Sequence, residues 1–290
     1  MINLAIIQHL LDTALKLAVP VESMRLAMGG SINESYLITL TDARVIFVKS
    51  HRRQSIPGMY AAEFKALQLL SHPKALLVPN PLYQNEDFLV MDAFQQGPAA
   101  SDWQEQMGRG LASLHHATRQ RQCGFDMDTY LGTFKQTNLW QDDWIGFWRD
   151  QRLTAQFALL MEHLSVHDPL LKAADKLMAR LDDLLACDPE PAVLLHGDLW
   201  SGNAASNAKG EPVIFDPASY YGQREAEFGM MRLFGGFGPA CEAAYREEWP
   251  FQPGYERRIE VYKLYHQLNH LNLFGHAYYN ASLHTIQGLI

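Results

Sequence analysis

Apolar residues at Ile2, Ile6, Ile7, Leu10, Leu11, Ala14 and Leu15 recur every three or four positions, so Met1 to Pro20 is expected to form a packed amphipathic helix. The period then shortens. Arg25 to Met28 leads into Gly29-Gly30-Ser31, and Tyr36 to Leu40 alternates, which predicts a hairpin with a glycine tip. Val45 to Val48 reads as a strand ending in Lys49, and Met59 to Leu70 as a helix carrying Glu63. Val78-Pro79-Asn80-Pro81 turns the chain into a further strand, Phe88 to Met91. The polar segment Gln95-Gln96-Gly97-Pro98 follows and predicts a hinge.

Beyond it the period is helical, with Trp103, Met107, Leu111 and Leu114 on one face. Trp140, Trp144, Phe147 and Trp148, then Leu153 and Phe157, form an aromatic stripe that reads as core with an open edge rather than as the floor of a cleft. Helices run to about Leu185, where Asp188-Pro189-Glu190-Pro191 stops them. Two short apolar runs, Val193 to Leu195 and Val213 to Phe215, predict strands, and Tyr255 to Leu273 a long helix. The expected architecture is α+β and bilobal: a small β-rich lobe over 1–94 and a larger, mainly helical lobe over 95–290.

With 290 residues, 48% of them hydrophobic, the chain can bury one large core or two modest ones. A formal charge of −8 argues against broad binding to nucleic acid or an anionic membrane, so an anionic ligand has to be met by a local cluster. No run approaches the roughly 20 apolar residues that span a bilayer. Cys123, Cys187 and Cys241 are far apart and in no C-x-x-C spacing, which suggests neither a disulfide framework nor a zinc site. A reducing cytosol fits these cysteines best, the N-terminus carries no basic leader or small-residue cleavage site, and a cytoplasmic protein, expected as a monomer, follows.

The candidate chemistry sits after the two short apolar runs. The first delivers His196, Asp198 and Asn203 in the spacing His-x-Asp-x-x-x-x-Asn, and the second delivers Asp216 thirteen residues past Asn203. A Gly-Asp pair after a strand is by itself usually an ordinary turn. Phosphoryl transfer, however, needs one carboxylate to orient and deprotonate a hydroxyl, and an amide with a second carboxylate to hold Mg²⁺ on nucleotide phosphates. Upstream residues extend the set. Gly29-Gly30-Ser31 would let the backbone approach phosphate oxygens, Lys49 would touch the α- and β-phosphates, and Glu63 would hold Lys49. A Gly-Gly turn and a strand-end lysine are each commoner as a chain reversal and an edge charge; their order points to nucleotide binding. The backbone from Met91 through Ala93 to Phe94 is placed either to meet an adenine edge or to serve as a plain linker. His115-His116 reads as core or cap. Arg224, Glu225 and Glu227 read as an ion-pair network under the catalytic loop or as a solvated helix face, and Asn269 and His270 would need hydrogen-bond partners if buried.

His196-Gly-Asp-Leu-Trp-Ser-Gly-Asn203, Asp216-Pro-Ala-Ser-Tyr-Tyr-Gly222 with Arg224-Glu225, Leu233-Phe-Gly-Gly-Phe237 and Leu264-Tyr-His-Gln-Leu-Asn-His270 resemble the fructosamine kinase (ketosamine 3-kinase) family. Gly29 to Glu34 and Phe47-Val48-Lys49 do so as well, so the resemblance covers nearly the whole chain. It implies a protein-kinase-like fold and transfer of the γ-phosphate of ATP to the 3-hydroxyl of a ketosamine, free or protein-bound, whose product falls apart and frees the amine. By the same resemblance, Asp198 is the catalytic base, Asn203 and Asp216 are the Mg²⁺ ligands, Lys49 and Glu63 are the phosphate-binding pair, and Gly29-Gly30-Ser31 is the nucleotide loop. Two departures stand out: Glu225-Ala-Glu227-Phe-Gly229 replaces the usual Glu-x-Asp-Leu-Ala, and Gln223 stands where a histidine is commoner. A kinase for aminoglycosides or choline, and a nucleotide-binding pseudokinase, are the alternatives.

Overall fold

The structure is a computed structural model that describes residues 3–16, 19–27, 33–51 and 55–290. Helix α1 (Leu4–Thr13) begins at Asn3, whose side chain accepts the Ile6 N–H, and buries Ile7, Leu10 and Leu11. Each such side chain contributes about 1.5–3 kcal/mol of apolar burial. The helix lies on an antiparallel sheet of β1 (Val21–Leu26), β2 (Asn33–Leu40), β3 (Val45–His51), β4 (Pro81–Gln84) and β5 (Phe88–Asp92), in the order β1-β2-β3-β5-β4. Helix α2 (Met59–Ser71) covers the opposite face. Strand periodicity divides β3 between them: Ile46 and Val48 join Ile38, Leu40 and Val90 against α1, while Phe47 packs with Met59, Tyr60 and Leu67.

The expected hinge is pinned rather than free. Gln96 pairs with Asn207, the Gly97 N–H donates to the Ser206 carbonyl at 3.1 Å, and a Cβ at Gly97 would lie 2.9 Å from the Asn207 oxygen. The helical lobe then runs through α3 (Trp103–Ala117), the hairpin β6 (Thr129–Leu131) and β7 (Phe134–Gln136), and α4 (Trp144–Trp148), which passes through a π-helical turn, Arg149–Leu153, into α5 (Thr154–Met161). After α6 (Pro169–Met178) and α7 (Leu181–Leu185) come β8 (Val193–Leu195), β9 (Ala204–Ser206), β10 (Pro212–Ile214) and β11 (Tyr220–Gly222). These form two antiparallel pairs, β8 with β11 and β9 with β10. Helices α8 (Glu225–Phe234), α9 (Pro239–Glu248), α10 (Tyr255–Phe274) and α11 (Tyr279–Leu289) complete the chain.

Trp144, Phe147 and Trp148 are core residues, with Trp148 edge-on to Tyr262 at 4.8 Å and to Tyr265 at 5.4 Å, whereas Trp140 stays partly exposed beside Tyr221. The small sheet lobe and the mainly helical lobe give the protein-kinase-like α+β fold. Among the described residues, no helix is long and apolar enough to cross a membrane.

Candidate active site

Lys49 lies on the α2 side of β3, in register with Ser35 of β2 and Leu89 of β5. Its ammonium donates to Glu63 Oε1 at 2.5 Å and to the Asp216 carboxylate, so groups 167 residues apart in sequence meet. Burial works against a charged lysine here, but Asp216 and Glu63 outweigh it and hold Lys49 above the ordinary lysine range. Glu63 moves upward, chiefly through burial, with the nearby Asp216 carboxylate adding to it.

The second half of the site is a loop held from three sides. Strand β8 is fully buried and delivers His196, after which Gly197 takes φ +82°; a Cβ there would sit 2.3 Å from the Ala218 oxygen, so only glycine fits. The His196 Nε2–H donates to the Phe215 carbonyl at 2.9 Å, because that oxygen can only accept. Nδ1 is thereby left to accept the Asp198 N–H at 3.3 Å, and burial pushes the ring's pKa down, keeping it neutral. Beneath the loop, buried Glu227 in the first turn of α8 accepts the His196 N–H at 2.6 Å and the Gly197 N–H at 3.0 Å.

The β9–β10 hairpin brings the remaining groups together. Ala204 faces Ile214, and the Phe215 N–H donates to the Asn203 carbonyl at 3.0 Å, which sets Asn203 beside Asp216. Asn203 Nδ2 donates to the Asp198 carbonyl at 2.8 Å and to Asp198 Oδ2 at 2.9 Å. Burial raises the Asp198 carboxyl well above the usual range, although the Asn203 bond opposes it. Asp216 has φ +58°, an uncommon conformation for a residue with a side chain. With the amide nitrogen of Asn203 committed and Asp216 Oδ1 on Lys49, Asn203 Oδ1 and Asp216 Oδ2 remain to meet a cation, beside the open Asp198 Oδ1. This set fits Mg²⁺, which commonly takes one or two protein groups and completes its shell with phosphate oxygens and water.

Other expected site residues divide. Gly29, Gly30 and Ser31 lie outside the described residues; beside them, the Ala27 N–H donates to the Ser35 carbonyl at 2.7 Å. Met91 is an interior residue of β5, paired with Phe47 and Pro81, and the Ala93 N–H donates to the Val45 carbonyl at 3.2 Å. Among the described residues, the Ala93 carbonyl and the Phe94 N–H make no backbone hydrogen bond, so those are the groups an adenine edge could meet. His115 is core, bonded to the Tyr245 hydroxyl at 2.8 Å, and His116 stacks on Trp249.

Arg224, Glu225 and Glu227 do not pair with one another. Arg224 forks onto Glu190, Glu225 onto Arg258, and Glu227 holds the loop. Gln223 accepts the Tyr262 hydroxyl at 2.6 Å and lies 3.1 Å from the Cys187 sulfur. The Asn269 side chain meets Gln156, and the His270 ring meets the His266 carbonyl. Sequence reasoning missed how two motifs interlock. Gly236, at φ +92°, leaves no space for a Cβ, which would lie 2.2 Å from that of Ser201, and the Trp200 ring leans on Phe234 at 5.5 Å. It also missed buried Arg152, stacked 4.2 Å over Tyr220, because an arginine in an amphipathic helix reads as surface.

Residues 3–290 match the family model for fructosamine kinase. The chain is 38% identical over 294 residues to "Probable ketoamine kinase" of Vibrio parahaemolyticus, spanning 99% of this chain and 98% of that one. It is also 38% identical to the chloroplastic protein-ribulosamine 3-kinase of Oryza sativa subsp. japonica, over 89% of this chain and 76% of the relative. The solved structure of a candidate fructosamine-3-kinase from Thermobifida fusca superposes with a TM-score of 0.86 at 28% identity, covering 93% of this chain and 94% of its own. The loop geometry, the Lys49 pairing and these likenesses agree along the length of the molecule, and the chain belongs to the fructosamine kinase family.

Proposed function

We propose that the protein uses ATP and Mg²⁺ to phosphorylate the 3-hydroxyl of ketosamines such as fructosyl- and ribulosyl-amines, which leads to deglycation. The observation that carries this reading is the convergence of Lys49, Glu63 and Asp216 beside the Asp198–Asn203 pair. In this reading the lobes are 1–94 and 95–290, and nucleotide lies between them, against the Gly29-Gly30-Ser31 segment and the stretch from Met91 to Ala93 at the end of β5. The ketoamine and ribulosamine names of the relatives supply the acceptor.

Asp198 Oδ2 is engaged by Asn203, so Oδ1 is the oxygen that accepts the sugar hydroxyl. As the hydroxyl oxygen bonds to the γ-phosphorus, the bond from that phosphorus to the β,γ-bridging oxygen breaks, ADP leaves, and the hydroxyl proton passes to Asp198. The raised affinity of Asp198 for a proton suits it to hold one in passing. Lys49, oriented by Glu63, would bring its charge to the phosphate oxygens while its other bond, to Asp216, ties it to the metal-side carboxylate. Asn203 and Asp216 would hold the metal, which when bound offsets phosphate charge. Trp200, in the loop, packs on Phe234, and Phe234 on His270; in this reading the Trp200 ring, near Asp198 in sequence, would meet the ammonium of a ketosamine.

The test is ADP release with Mg·ATP and a panel of fructosyl-, ribulosyl- and erythrulosyl-amines beside aminoglycosides and choline. Turnover with ketosamines is expected, and Asp198→Ala should abolish it while Mg·ATP still binds. Turnover confined to aminoglycosides or choline would overturn the acceptor, and full activity of Asp198→Ala would overturn the base.

A further inference from the structure

Tyr130 belongs to the helical lobe, yet its ring packs against the cluster of Met59, Tyr60, Leu67, Leu89 and Met91, which otherwise comes from α2 and the sheet. Strand alternation puts it there: Thr129 and Leu131 of β6 are buried in their own lobe, and Tyr130 between them points the other way. Its hydroxyl donates to the Pro57 carbonyl at 2.7 Å, one residue before Gly58, the N-cap of α2. Gly58 has φ +80° and offers no side-chain cap, so the start of α2 lacks the usual local anchor. Glu63 lies one turn further on, on the face of Met59.

The hairpin bearing Tyr130 is fixed from behind. Asn138 Nδ2 donates to Thr129 Oγ1 at 2.9 Å, and the Tyr265 hydroxyl of α10 donates to Gln136 Oε1 at 2.7 Å. Buried Arg152, on the π-helical turn, donates to Asn138 Oδ1 at 2.6 Å and to the Thr137 carbonyl at 2.8 Å. A rigid support rooted in the helical lobe therefore meets the helix that presents Glu63 to Lys49. The exposed Lys65–Asp126 contact at 3.5 Å adds little to the hold.

We propose that Tyr130 is a positioning residue for phosphoryl transfer: the β6–β7 hairpin clamps the N-terminus of α2, so that Glu63 stays on Lys49 without a separate activating event. In protein kinases the placement of the corresponding helix is a point of control, and here the clamp removes that freedom. The inference rests on the kinase reading above.

The test uses Tyr130→Phe, which keeps the ring and removes the bond to Pro57, in the wild-type and Glu63→Gln backgrounds. In the wild-type background, kcat/KM for ATP should fall about two- to fivefold, the lower part of the range for one hydrogen bond because this one is exposed, with KM for ribulosyl-lysine unchanged. Amide exchange should quicken in α2 and stay unchanged in α10. In the Glu63→Gln background the ion pair to Lys49 is already gone, and Tyr130→Phe should cause no further loss. An equal fold loss in both backgrounds, or unchanged α2 exchange, would overturn the clamp while leaving the kinase intact. A wild-type protein that binds no Mg·ATP would overturn the kinase reading and the clamp with it.

Discussion

Replacing Glu227 by Gln tests whether the catalytic loop is set from below. The two carboxylate oxygens of Glu227 accept the His196 and Gly197 N–H groups, and the residue is 1% exposed. A glutamine keeps the shape but turns one acceptor into a donor, so one buried N–H faces an NH₂ group. Hydrogen bonds to a charged group contribute about 1.5–3 kcal/mol each, and an orphaned buried donor costs about 1–3 kcal/mol. The expected destabilisation is therefore about 2–3 kcal/mol, a fall in Tm of about 3–5 °C for a chain of this size. The loop must also move to relieve the clash, and a misplacement of about 1 Å at a reacting group can reduce the rate about a hundredfold. Initial rates of ADP release at saturating ATP and ketosamine, beside thermal unfolding, would measure both. The conservative change Glu227→Asp keeps both acceptors on a shorter stem and should recover most of the rate. If Glu227→Gln kept kcat within twofold and Tm within about 1 °C, the loop would not depend on this carboxylate.

Legibility of the site in the sequence followed the range of each contact. Asp198, Asn203 and Asp216 were readable because one turn and one short hairpin carry them, so their spacing is fixed locally. Lys49 and Glu63 were readable from their order, since a strand followed by a helix on one face of the sheet leaves few ways to pair. The partners of the charged residues after Asp216 were not. Glu190 meets Arg224, Arg258 meets Glu225, and neither pairing leaves a periodic trace, because an ion pair between distant segments requires only that the fold bring them together. Which backbone groups near Ala93 stay open to an adenine edge was not legible, for a finer reason. Strand pairing decides which N–H groups are spent, and a register in which Val45 takes the Ala93 N–H depends on neighbours that the local sequence does not specify. Trp140 falls on the open edge of the aromatic stripe because a β-bridge between Cys123 and Gln141 holds its loop at the surface.

Two further outcomes are expected. Gly236→Ala should lower kcat/KM more than tenfold, since a Cβ would collide with Ser201 in the catalytic loop and φ +92° disfavours any side chain; kinetics within twofold of wild type would show that the loop does not lean on this turn. The Glu190–Arg224 pair should make stability depend on acid pH. Burial alone would raise the Glu190 carboxyl, but the Arg224 fork and Gln252 hold it below the usual range. A depressed folded pKa means that the stabilisation is complete above the unfolded value of about 4.3 and is lost as pH falls through the folded value. Glu190→Gln should therefore be less stable than wild type by about 1.5–3 kcal/mol at pH 7, leaving the Arg224 charge to the Trp249 and Pro250 carbonyls and the Trp249 ring. Urea unfolding at a series of pH values should show that gap narrowing below about pH 4. A gap that stayed constant from pH 7 to the acid limit would mean that the carboxylate's charge contributes nothing to the pair.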